Sequence, residues 1–104
     1  MRTEWTITVD HLALKELEGE RSPPGTNGNA VGMVGPRGAK MTHQEICQHP
    51  KRQRFQMYDD DKVLYYTGFL VGSDLFAPLD DFGEPNAGCT SIRVQDEHGR
   101  FFTV

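Results

Sequence analysis

The sequence predicts a sheet-dominated α+β fold, with about five mostly antiparallel strands in a bent sheet or a small barrel and one or two short helices. Three observations carry this prediction. Residues 5–9 alternate between apolar and polar side chains, which is the period of a half-buried strand. Two aromatic-rich stretches, 55–58 and 63–71, flank a short acidic connection and indicate a β-hairpin. Residues 90–94 and 101–104 form a second pair of short strands around a glycine-containing turn.

Two short segments before the hairpin indicate helices. Thr42 and Glu45 have the spacing of a capping box, which predicts a helix of about two turns that ends before Pro50. Residues 12–18 fit either a short helix that stops at Gly19 or an extended edge segment.

A third helical segment is predicted after the hairpin. Residues 75–83 carry apolar side chains at helical spacing, with Asp80 and Asp81 near the start and Gly83 as the stop. We expect one or two helical turns that plug one end of the sheet. Residues 84–88 are predicted to be a loop.

The chain has the length of one domain, so residues 1–104 are treated as a single domain. Residues 19–40 contain six glycines and three prolines, a composition that predicts a flexible loop. The few apolar residues of this segment, which lie between positions 30 and 34, are expected to attach part of it to the sheet.

Charge is distributed unevenly along the chain. The formal net charge is −4, made up of +2 in residues 1–54 and −6 in residues 55–104. The acidic half should repel nucleic acid, and Lys51, Arg52 and Arg54 form only a weak basic patch, so direct nucleic-acid binding is not expected. The sequence has no long apolar run and no signal-peptide pattern, which predicts a cytoplasmic protein with no membrane contact and with reduced cysteines.

The strongest candidates for metal binding or catalysis are a few histidines and cysteines. His43 and Cys47 are four residues apart and share one face of the predicted helix, with His49 close behind. Cys89 or His11 would have to supply a further zinc ligand, and the paired cysteines of structural zinc sites are absent. A small metal-dependent or thiol enzyme using His43, Cys47 and Cys89 therefore remains the alternative function. No catalytic residue, metal ligand or cofactor is assigned.

The carboxylate runs are candidates for a cation site as well. Asp59, Asp60 and Asp61 form one cluster, and Asp80 and Asp81 belong to another. Neither has the spacing of a calcium-binding loop, so we interpret the first as a hydrated turn and the second as the start of a helix.

The predicted function is a non-enzymatic module that binds another macromolecule, most simply another protein, or that regulates it. An acidic surface can imitate a phosphate backbone, so one form of this hypothesis is an inhibitor of a nucleic-acid-binding protein. The binding surface is predicted on an aromatic and acidic strip, because tyrosines that the core does not need are good interface anchors. The strip comprises Tyr58, Asp59, Asp60, Asp61, Tyr65, Tyr66, Asp80, Asp81 and Phe82.

One part of the chain carries a resemblance. The pattern consists of Tyr58-Asp-Asp-Asp61, Leu64-Tyr-Tyr66 with Gly68, Pro78-Leu-Asp-Asp-Phe-Gly83 with Pro85, and Ala87-Gly-Cys-Thr90 with Ile92. It resembles a group of small uncharacterised proteins of actinobacteria and their phages. The resemblance covers residues 55–94 and implies a bacterial cytoplasmic setting. It assigns no catalytic residue.

Overall fold

Six strands form one open antiparallel sheet in the computed structural model, which describes residues 2–17 and 29–104. The strands are β1 (Glu4–Asp10), β2 (Val34–Gly35), β3 (Gln53–Tyr58), β4 (Leu64–Val71), β5 (Ser91–Gln95) and β6 (Phe101–Thr103). Their order is β2-β1-β4-β3-β5-β6, with β2 and β6 at the two edges. The predicted α+β class and all five predicted strands are confirmed. The sixth strand is β2, and in the described part of the chain the sheet does not close into a barrel.

β1 contains a bulge that changes which side chains face the core. Ile7 pairs with Gly68, but the register shifts before Val9, so that Asp10 pairs with Tyr66. An extra residue in one strand moves the following side chains to the opposite face. The predicted alternation therefore holds for Trp5 and Ile7 and then shifts by one residue, which leaves Asp10 only 3% exposed.

The buried carboxylate of Asp10 accepts hydrogen bonds from the backbone of two neighbouring segments. Its Oδ1 accepts the N–H of Ala13, as a helix N-cap does, and α1 (His11–Leu17) begins immediately after it. Its Oδ2 accepts the N–H of Ala30. Residues 12–17 of the predicted segment are thus helical, whereas Glu18, the predicted stop Gly19 and residues 20–28 lie outside the described residues.

The end of the glycine-rich segment lies against β1. The N–H of Ile7 donates to the carbonyl of Met33 over 3.0 Å, and the N–H of Gly32 donates back to Ile7. β2 continues this pairing, with Trp5 opposite Gly35. Residues 29–40 of the predicted flexible loop therefore include an ordered edge of the sheet.

The β3–β4 hairpin contains a second bulge. Met57 pairs with Tyr66 while Tyr58 pairs with Leu64, so Tyr65 has no residue opposite it. Strict alternation would place Tyr65 and Tyr66 on opposite faces of the sheet. Because of the bulge, both tyrosines are buried, with 6% and 4% of their surfaces exposed.

One face of the sheet is covered by a short helical segment. Leu79–Gly83 forms a turn of π-helix that runs directly into α3 (Glu84–Ala87), and residues 79–87 are called the covering helix below. Phe82 packs against Trp5 at a centroid distance of 5.7 Å and against Tyr66 at 5.1 Å. The predicted helical turns are confirmed, but they cover one face of the sheet and close the core there, whereas the prediction placed them at one end.

The predicted end of this helix is wrong. Gly83 continues the helix, and the backbone turns at Gly88, whose φ is +73°. Gly83 is required for packing instead, since a Cβ there would lie 2.6 Å from the Sδ atom of Met57. The predicted loop at 84–88 is therefore helical except at Gly88.

The opposite face of the sheet is covered only in part. α2 (His43–Cys47) packs against β1 and β4, and its Ile46 is fully buried. The predicted capping box is confirmed, with the Thr42 hydroxyl accepting from the N–H of Glu45 and the Glu45 carboxylate accepting from the N–H of Thr42. Residues 2–17 and 29–104 contain no candidate for a membrane-spanning helix.

Gly68 provides a test of the core packing. It lies opposite Phe55, and a Cβ at this position would lie 2.7 Å from Cζ of that ring and would overlap the carbonyl oxygen of Thr6. Since backbone cannot move aside cheaply, we expect Gly68→Ala to lower the free energy of unfolding by about 3 kcal/mol. Urea denaturation measures this change.

Gly88→Ala is the control. Gly88 has open space around it, so this substitution should cost only the strain of a left-handed backbone, about 1 kcal/mol. Equal losses at Gly68 and Gly88 would contradict the packing described here.

Candidate functional site

The uncovered part of the second face carries polar and aromatic side chains from three strands. We call it the open face, and its members are Arg54, Gln56 and Tyr58 of β3, Phe69 of β4, and Arg93 and Gln95 of β5, joined by Arg52 just before β3. Their neighbours in sequence, such as Phe55, Val94 and Leu70, point to the core. The open face is therefore the direct consequence of period-2 alternation over a sheet that is covered on one side.

Arginines stack on the aromatic rings of the open face. The guanidinium carbons of Arg52 and Arg54 lie 5.4 and 5.2 Å from the centroid of the Phe69 ring. Arg93 lies 5.0 Å from the ring centroid of Tyr58. Such stacking attracts the cation to the ring and limits its motion, while the N–H groups of the guanidinium remain able to donate hydrogen bonds.

Local structure brings the first two arginines to the same ring. Arg54 is the cross-strand partner of Phe69 in the β3–β4 ladder. Arg52 lies in the turn that enters β3, where its backbone N–H and its Nη1 both donate to the carbonyl of His49. The ladder and the turn thus hold the two cations above one side chain.

A groove of about 610 Å³ lies at this end of the open face. It is lined by residues 50–54, Phe69 and residues 95–97, so that Lys51, Arg52 and Arg54 share it with Asp96 and Glu97. Among the side chains that the structure describes, those of residues 2–14 and 29–104, the one ion pair closer than 4.0 Å joins His98 to Glu97. The three cations of the groove therefore have no carboxylate partner in the described structure.

The predicted aromatic and acidic strip is divided between separate parts of the fold. Tyr65, Tyr66 and Phe82 belong to the hydrophobic core, and Tyr58 lies on the open face. Asp60 and Asp61 are exposed at the tip of the β3–β4 hairpin, and Asp59 is half-buried beside them. Asp80 and Asp81 lie on the exposed side of the covering helix, where Asp81 accepts the indole N–H of Trp5 over 2.9 Å. The structure does not gather these nine residues into one surface.

The three hairpin aspartates lie close together. One carboxylate oxygen from each of Asp59, Asp60 and Asp61 falls within 4.8 Å of the others. Oδ1 of Asp59 already accepts the backbone N–H groups of Asp61 and Val63, at 2.9 and 2.8 Å. These bonds form the hairpin turn, which accounts for Asp59 without a cation.

The predicted histidine and cysteine set is divided in the same way. Sγ of Cys47 lies 3.7 Å from Nε2 of His43, as the spacing of four residues predicts. Cys89 is buried on the other side of the sheet, beside Gly83. His49 accepts the N–H of Lys51 within its turn, and His11 lies next to Thr67. Among the described residues only the hairpin aspartates form a group of three or more potential ligands, so the metal set proposed from the sequence does not assemble.

Burial strongly disfavours ionisation of several core groups. Burial, together with a hydrogen bond to Asp59, raises the pKa of Tyr65 to about 12. Burial and the charge of Asp10 raise the pKa of Tyr66 further still. Burial, with a smaller contribution from Asp59, raises the pKa of Cys89 to about 12, which leaves this thiol protonated and unreactive near neutral pH.

The sequence analysis identified the basic patch but missed Phe69 as its centre. Counting outward from the Tyr58–Leu64 pair without a bulge would place Arg54 opposite Gly68, whereas the structure pairs it with Phe69. The count is correct only when the bulge at Tyr65 is known, because one extra residue changes every pairing beyond it. Thr6, which contacts His43, was missed because the apolar–polar alternation of residues 5–9 predicts a solvent-facing side chain at this position, whereas Thr6 is completely buried.

Comparisons of the chain with protein-family models, with curated proteins and with solved structures found no match. The resemblance of residues 55–94 to small actinobacterial proteins stays a prediction. The site must therefore be interpreted from its own geometry.

The raised pKa of Tyr65 predicts alkaline destabilisation. The unfolded chain releases the phenol proton near pH 10.0, whereas the folded protein keeps it until about pH 12. Because the folded state binds the proton more tightly, stability is complete below pH 10 and falls as the pH rises between these values. Tyr65→Phe should reduce this loss, as measured by urea unfolding at a series of alkaline pH values. An unchanged pH dependence in the variant would contradict the assignment.

Proposed function

We propose that this protein is a non-enzymatic binding module that recognises an acidic segment of another protein through its open face. The observation that carries the proposal is the stacking of Arg52 and Arg54 on Phe69, with no carboxylate within 4.0 Å of either cation among the described side chains. We further propose a cytoplasmic location, as the sequence predicts.

The stacked arginines suit a carboxylate partner. A guanidinium presents several N–H donors in a fixed fork that matches the two oxygens of a carboxylate. The Phe69 ring reduces the freedom that Arg52 and Arg54 would otherwise lose on binding, which lowers the entropic cost of association. The adjoining groove is large enough to accept side chains of an extended segment.

The same surface fits nucleic acid less well. Binding of single strands depends on aromatic faces that are free to stack on bases and on an uninterrupted cationic track. Here two guanidiniums lie over Phe69, and Asp96 and Glu97 line the same groove. A peptide that carries a few carboxylates beside neutral or basic residues matches this mixture of charges better.

A second candidate is the acidic inhibitor predicted from the sequence. Asp60, Asp61 and Asp80 are exposed and have no cationic partner among the described residues, which favours contact with a basic protein. The two candidates require partners of opposite charge, so one binding experiment separates them.

The proposal is tested with short labelled peptides and fluorescence anisotropy. Oligoglutamate should bind, and Arg54→Ala should weaken its binding by about tenfold, since a hydrogen bond to a charged group contributes about 1.5–3 kcal/mol. Arg37→Ala is the matched control, because it removes the same charge from an exposed turn away from the groove and should change affinity less than twofold.

Three outcomes would contradict the proposal. These are binding of oligolysine instead of oligoglutamate, tighter binding of oligothymidine than of the acidic peptide, and equal effects of the substitutions at Arg54 and Arg37. The first of these would favour the acidic inhibitor.

A further inference from the structure

A hydrogen-bonded chain of three side chains links β1 to α2 beside the open face. Cys47 lies 3.7 Å from Nε2 of His43, and Nδ1 of His43 lies 2.6 Å from the hydroxyl oxygen of Thr6. The Thr6 hydroxyl in turn donates to the carbonyl of Met33 over 2.7 Å. Thr6 is completely buried, while Cys47 is half-buried and reaches solvent.

The direction of these bonds determines which nitrogen of the imidazole carries the proton. Because the single hydroxyl proton of Thr6 is directed to Met33, its oxygen is left to accept from His43. Nδ1 of His43 must then be the protonated nitrogen in the neutral ring. Nε2 is left with a lone pair directed at the thiol of Cys47. A thiol, a base and a third group that orients the base are the elements of an activated nucleophile.

We propose that Cys47 is a site of reversible S-thiolation by low-molecular-weight disulfides that carry a carboxylate, with His43 as the base and Thr6 as its positioning residue. Cys47, His43 and Thr6 lie outside the open face, and Arg52 is the residue that this inference shares with the proposed function.

The reaction is a thiol–disulfide exchange. Cys47 Sγ attacks one sulfur of the disulfide RS–SR, the S–S bond of the reagent breaks, and a new S–S bond joins Cys47 to one RS group. The thiol proton passes to Nε2 of His43 and then to the departing RS⁻, so the products are the mixed disulfide and RSH. The reagent disulfide is itself the oxidant, because one of its two sulfurs is reduced and leaves as RSH while Cys47 becomes part of the new disulfide. A second thiol reverses the reaction.

The surroundings of Cys47 explain why a base is required. Burial raises the pKa of the Cys47 thiol, and the positive charge of Arg52 opposes this rise only in part. The resting group is therefore a thiol, and reactivity depends on transfer of its proton to His43 during attack. The same Arg52 charge favours a reagent that carries a carboxylate.

Cys89 is an internal control for this reactivity. It is fully buried and its pKa is raised to about 12, so it should not react while the protein is folded. Cys47→Ser should abolish the fast reaction with a disulfide reagent, and Cys89→Ser should leave it unchanged.

The experiment measures the rate at which folded full-length protein releases thiolate from the anionic disulfide dithiobis(nitrobenzoate). To isolate Cys47, the Cys89→Ser variant is compared with the same variant unfolded in urea. The folded protein should react at least about tenfold faster, because general-base assistance of about 10²–10⁴-fold outweighs the loss from the raised pKa and partial burial of the thiol. His43→Asn should lower the folded rate by a similar factor, because its amide can still donate to Thr6 but cannot accept the thiol proton. Arg52→Ala should reduce the preference for this reagent over neutral dithiodipyridine.

A folded rate equal to or below that of the unfolded chain would overturn the proposal, as would an unchanged rate in a folded His43→Asn variant. If that variant fails to fold, the comparison of folded and unfolded Cys89→Ser protein decides alone. An unchanged reagent preference in Arg52→Ala would overturn the preference for carboxylate-bearing disulfides.

Discussion

The packing of Phe82 between Trp5 and Tyr66 is the interaction on which the rest of this structure depends. It holds the covering helix against one face of the sheet and removes the largest aromatic groups of the chain from water. Gly83 contributes by allowing the helix to approach Met57 closely. Because the core is completed on this side alone, the other side of β3 and β5 does not have to be buried for the protein to fold.

Because this side of the sheet does not have to be buried, the open face can consist mainly of polar and charged side chains. A sheet with one solvated side can carry polar side chains there at little cost to stability, and this chain places arginines and glutamines at those positions. Phe69 and Tyr58 are the exceptions, and each is covered by at least one guanidinium. The arrangement keeps aromatic surface partly away from water and leaves cationic groups available to a partner.

Most strands and helices were predictable from local sequence patterns, whereas the side of the sheet on which each side chain lies was not. The capping box at Thr42 and the two hairpins follow from short-range spacing, and they are present as predicted. The bulges before Val9 and at Tyr65 could not be predicted, because alternation shows no sign of an extra residue until strand pairing is known. Because the register of this hairpin was unknown, the sequence alone did not place Arg54 opposite Phe69. A site that depends on pairing across strands is therefore recognised only when the register is known.

The uncovered side of the sheet is the binding surface that we propose. Backbone amide chemical shifts, recorded by NMR while oligoglutamate is added to the full-length protein, test this claim most directly. We predict shift changes in β3, β4 and β5 that are largest around Arg54, Phe69 and Gln95, with little change in the covering helix. Changes centred on the hairpin tip or on the covering helix, or none at saturating peptide, would contradict the account.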